Sequence, residues 1–186
     1  MDVGPVDRIT ADAIGEPGSR TFYIQARAGA ELVTVIVEKQ QVQLLAASVL
    51  ELLEDASSPS EPGADESAMA LEEPLDPRWR AGRLALAFDE ERDLFMLEVE
   101  EYRPELDDES LDEGALGILE PDETTGDPAD RPETIRLWAS SEQMLALSRH
   151  GAAVAARGRP ACQFCGNPMD PEGHVCPAMN GHSTPA

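Results

Sequence analysis

The chain has 186 residues, with 37 Asp and Glu against 14 Lys and Arg and a formal net charge of −23 at pH 7. That balance argues against a general nucleic-acid binder, which needs a basic footprint, and against attraction to anionic membrane surfaces. Hydrophobic residues make up 41% of the chain, enough apolar material for a core, so the sequence is not disordered throughout.

Residues 1–19 open with MDVGPVDRITADAIG, which has neither the basic start nor the apolar run of a signal peptide, and they read as an N-terminal arm. Residues 20–160 read as a single α+β domain. Within it, 20–26 (RTFYIQA) and 31–38 (ELVTVIVE) carry the β-branched and aromatic content of two strands joined by a turn at Gly29. A helix is expected over 39–53, because Val42, Leu45, Ala46, Val49 and Leu52/Leu53 fall on one helical face. An acidic insertion at 54–77 follows, with eight acidic side chains, no basic one and four prolines. A second hairpin is expected from 80–88 and 94–102 around the charged tip 89–93.

The stretch 104–132 is a second acidic insertion, with eleven acidic residues and Arg131 as its one base. Both insertions are poor in aromatics and rich in Pro, Gly and Ser, the composition of segments that cannot offset their ordering entropy by burial. Outside them the balance falls to −5, that of an ordinary domain. A fifth strand is expected at 133–139. A helix capped by Ser140 with Gln143 then runs to about Arg157, where Gly158 offers a left-handed cap and Pro160 forbids continuation. The order ββα-βββα predicts one antiparallel sheet of about five strands with both helices on one face.

Residues 161–186 form a cysteine-rich tail with the one chemically specific motif. Cys162-Gln163-Phe164-Cys165-Gly166 is a Cys-x-x-Cys-Gly knuckle, and His174-Val175-Cys176 follows after a short turn. Two thiolates on a tight turn, plus His174 and Cys176, make a four-ligand set for structural Zn²⁺, with metal–sulfur distances of about 2.3 Å. His182 is a competing nitrogen ligand. A redox Cys-x-x-Cys would open a helix after a strand, whereas this one follows a helix. Three crowded thiols also make a poor disulfide framework, which together with the start of the chain predicts a cytoplasmic protein.

The segments RTFYIQA, GRLALAFDEERDLFMLEVEE and GRPACQFCGNPMDPEGHVCPAMNG resemble the actinobacterial family of unknown function DUF3090. The resemblance covers the segments outside the acidic insertions. It implies an actinobacterial cytoplasmic protein and metal ligands at Cys162, Cys165, His174 and Cys176. Gln163 and Phe164 depart from the Pro and aliphatic residue expected there, and neither is a ligand. The family lends no activity.

No phosphate-binding glycine loop, nucleophile elbow or His-Glu-x-x-His motif is present. The sequence therefore favours a non-catalytic protein-interaction module with a structural zinc, its protein partner unidentified. The alternative is an enzyme whose site gathers scattered groups: His150, Arg149, Arg136, Arg20 and Tyr23. A third reading is a zinc-knuckle regulator of transcription or nucleic-acid binding. It is weakened by Asp170 and Glu172 inside the knuckle, where only Arg157 and Arg159 flank it.

Overall fold

The computed structural model describes residues 1–55, 69–104, 131–158, 162–167, 169, 174–179 and 183–184. Its elements are β1 (Asp2–Val3), β2 (Arg8–Ile14), β3 (Thr21–Ala28), β4 (Glu31–Val37), α1 (Lys39–Asp55), β5 (Ala81–Asp89), β6 (Leu94–Glu101), β7 (Thr134–Ala139), α2 (Ser141–Ala156), β8 (His174–Val175) and β9 (Ser183–Thr184). The α+β class and the two helices agree with the sequence. The single five-stranded sheet does not.

The strands divide into a four-stranded sheet, β1-β7-β6-β5, a three-stranded sheet, β2-β3-β4, and the small ribbon β8-β9. The difference originates in residues 1–19, which are not an arm. Asp2 and Val3 pair in parallel with Arg136 and Leu137, and Arg8–Ile14 pairs along the whole of β3. Between them the chain crosses from one sheet to the other: the Val6 amide donates to the Trp138 carbonyl at 2.8 Å and the Asp7 amide to that of Arg27 at 2.8 Å. Gly4 makes this crossing possible. It has φ +126°, and a Cβ there would stand 2.8 Å from the Trp138 carbonyl oxygen. At the opposite seam Ile36 bridges to Arg80, leading from β4 into β5. Following the backbone bonds gives the order β2-β3-β4-β5-β6-β7-β1, with β1 leading back into β2.

Period-two alternation decides what each sheet buries. Phe95, Leu97 and Val99 of β6 stand beside Ile135, Leu137 and Ala139 of β7 on one face, all with at most 2% exposure. Burying each large apolar side chain contributes about 1.5–3 kcal/mol, so this face is a principal source of stability. In the other sheet, Ile9, Ala11, Ile24, Ala26, Val33 and Val35 are buried in matching register.

The helices pack on each other rather than side by side over one sheet, with α2 against β2 and α1 reaching β5. Small residues permit the close approach. A Cβ on Gly151 would lie 3.0 Å from Val42 and 3.3 Å from Ala11, and the buried Ser148 hydroxyl donates to the Ala46 carbonyl at 2.8 Å. The expected cap of α2 is present: the Gln143 amide donates to Ser140 Oγ and the Ser140 amide to Gln143 Oε1. Its other end differs from expectation. The cap is Arg157 at φ −71°, whose amide reaches back to Ala153 and Val154, and no left-handed Gly158 is used.

The acidic insertion 54–77 also differs from expectation. Glu54 and Asp55 close α1, and residues 69–80 form a strap across the polar face of the three-stranded sheet. That face carries the buried row Thr10, Gln25 and Thr34. The strap matches the polar groups of Thr10 and Gln25: Thr10 donates to the Met69 carbonyl, while Gln25 accepts from the Glu72 amide and donates to its carbonyl and to the Thr34 hydroxyl. Glu72 also binds the guanidinium groups of Arg8 and Arg27. Residues 56–68 and 105–130 lie outside the described residues.

Candidate metal centre

The tail begins with a turn over residues 162–165. The Gly166 amide donates to the Cys162 carbonyl at 2.8 Å and the Cys162 amide to the Asn167 carbonyl at 2.7 Å, which folds the chain tightly over itself. Gly166 sits at φ +75°, a conformation that a side chain would strain. The turn directs backbone hydrogen towards sulfur, and the Phe164 amide lies 3.5 Å from Cys162 Sγ. The returning strand β8 pairs with β9, His174 opposite Thr184 and Val175 opposite Ser183, and delivers Cys176 directly after it.

These two pieces bring three sulfurs together. The Sγ atoms of Cys162, Cys165 and Cys176 all lie within 4.8 Å of one another, with Cys162 and Cys176 at 3.9 Å. Cys162 and Cys176 are buried at 3% and 0% exposure, and Cys165 is half-buried. The amides of Phe164 and then Cys165 hold the Cys162 thiol down at about 7. Cys165 behaves oppositely. The Asn167 amide draws it down, but burial and the neighbouring Cys176 and Cys162 sulfurs outweigh that bond and raise it. One sulfur poised to ionise beside two others is a donor set compatible with a metal ion.

The sequence-predicted ligand set is thus brought together in its three cysteines. The backbone of His174 lies in β8, and its side chain is outside the described residues, as is the whole of His182. Of the five scattered polar candidates, His150 approaches Asp12, whose register partner is Tyr23, whereas Arg136 lies on the other sheet. Arg136 binds Glu98 at 2.7 Å on the four-stranded sheet, and this bond raises its pKa. Arg149 is exposed on α2, and Tyr23 lies on β3. His150 Nε2 is buried without a hydrogen bond, 3.6 Å from Asp12 Oδ1. Arg20 donates to the Val154 carbonyl at 3.4 Å. Sequence reasoning missed Glu72 and its two arginines, because its acidic, proline-rich surroundings resemble a solvated loop.

No helix among the described residues is long and apolar enough to cross a membrane. The family described as "Protein of unknown function (DUF3090)" matches residues 2–176 of the chain. No curated protein and no solved structure is a match.

Proposed function

The chain belongs to the DUF3090 family, and on that premise we propose that it is a non-catalytic protein-interaction module whose tail is held by a structural Zn²⁺. The observation that carries the reading is the three-sulfur cluster. A tetrahedral ion with metal–sulfur bonds of about 2.3 Å spaces its sulfurs about 3.8 Å apart. The Cys162–Cys176 separation of 3.9 Å is close to that edge, and all three sulfurs lie within 4.8 Å of one another. Soft thiolates favour Zn²⁺ over hard cations. His174, two residues before Cys176, supplies the fourth ligand in this reading. Four protein ligands close the coordination shell, so the ion acts as a staple and leaves no position for substrate.

The interaction role is supported by charge and by the distribution of polar groups. The stretches 56–68 and 105–130 concentrate carboxylates that suit a basic partner surface. The five polar candidates are spread over the β2–β3 turn, β3, β7 and α2, and the cleft at the end of α2 is lined by Arg20 and by none of the other four. A reducing compartment such as the cytoplasm fits thiols held for a metal.

Metal analysis of the purified full chain tests the site. One zinc per chain, lost in Cys162→Ser and Cys176→Ser, is expected. Metal-free protein with all three thiols freely alkylated overturns it. Affinity capture from native lysate tests the interaction. A stoichiometric partner that high salt releases is expected, and the absence of one contradicts this role.

A further inference from the structure

A cleft of about 310 Å³ opens where the β2–β3 turn and the starts of β3 and α1 meet the end of α2. Arg20, Lys39, Phe22, Pro17 and Gly158 are among its walls, and no acidic side chain lines it among the described residues. In a chain of net charge −23 this is a local reversal of sign.

The two cations differ from most others in the frame. Arg8, Arg27, Arg78, Arg80, Arg92, Arg103 and Arg136 each meet a carboxylate. Among the described residues neither Arg20 nor Lys39 does. The carboxylate next to Lys39 is engaged elsewhere, because Glu38 is bound by Arg80. Arg20 spends one of its five donors on the Val154 carbonyl and keeps the others. At Gly158 a Cβ would stand 3.5 Å from Lys39 Nζ, so glycine leaves the approach to the ammonium open.

We propose that this cleft binds a small phosphate monoester, with Arg20 and Lys39 on the phosphate and the organic part along Phe22 and Pro17. Two cations lining one cleft match the charge of the phosphate dianion, and charge-assisted bonds to its oxygens are stronger than neutral ones. The concave wall adds to this by focusing the local field. The volume suits a small ligand, standing near the lower limit of about 300 Å³ for small-molecule sites.

Lys39 is the one lysine of the chain, which makes the test direct. Reductive ¹³C-methylation of the full-length protein gives a single lysine side-chain resonance and preserves its charge. Titration with inorganic phosphate at constant ionic strength should move that resonance saturably, and Arg20→Gln should weaken the apparent affinity about tenfold or more. Acetate should bind more weakly. Because Arg20 also bonds the end of α2, a second variant at an exposed position is needed. Lys39→Gln should fold normally and lose the phosphate-induced rise in Tm. A resonance that does not move, equal responses to chloride or acetate, or unchanged phosphate binding by both variants overturns the proposal.

Discussion

In β6 and β7 the buried row from Phe95 to Ala139 excludes water from two adjacent strands, whereas the tail buries two sulfurs and leaves Phe164 and Val175 at 56% and 68% exposure. Among its described residues the tail's regular structure is a two-residue pairing and one 3₁₀ turn at Pro177–Met179. Ordering a residue costs about 1–2 kcal/mol of backbone entropy. Apolar area meets that cost in the frame. Among the described residues of the tail the buried side chains are Cys162 and Cys176, where three thiols converge. On the proposed reading a metal ion fixes one region and burial the other, so they should fail independently.

The largest expected effect is on the frame. Leu97→Ala removes a fully buried side chain set between Leu86 and Leu137, and should cost about 2–5 kcal/mol in urea unfolding. Metal content of the remaining folded protein should be unchanged. Ser140→Ala removes half of the reciprocal cap on α2 and should cost about 0.5–2 kcal/mol by the same measurement.

A smaller effect, and one dependent on pH, belongs to the strap. Its bond to Arg27 holds the Glu72 carboxyl below the usual range. A lowered native pKa means that the stabilisation is complete above the unfolded value of about 4.3 and disappears as pH falls through the native one. Glu72→Gln should therefore lower stability at neutral pH by less than Leu97→Ala and flatten its acid dependence. Unfolding curves across that range, compared with the parent, provide the check. For the frame, the smallest effect comes from Cys176→Ser. It should lower the unfolding free energy of the frame by less than about 0.5 kcal/mol while Cys162 and Cys165 become rapidly alkylated. A large loss of frame stability would show that the two regions are one cooperative unit.

Much of this contrast was legible in the sequence. Five strands and both helices were marked by local periodicity, and the Ser140–Gln143 cap by its spacing. The two-strand start was not. Arg8–Ile14 alternates Ile9, Ala11 and Ala13 with polar residues, but alanine gives a weak apolar signal. The bonds that fix β1 and Val6 go to partners more than 130 residues away. The same locality explains Glu72. Its role depends on arginines of β2 and β3, and nothing in the neighbouring acidic residues indicates them. In the tail, Cys-x-x-Cys-Gly and Cys176 sufficed to predict that the sulfurs converge, because a tight turn and a short return leave few other arrangements.

X-ray absorption at the zinc edge of the full-length protein as purified reads the donor set of the proposed site. Three sulfur ligands at about 2.3 Å and one nitrogen at about 2.0–2.1 Å are expected. Stoichiometric protein without zinc, or zinc surrounded by oxygen and nitrogen alone, would contradict it.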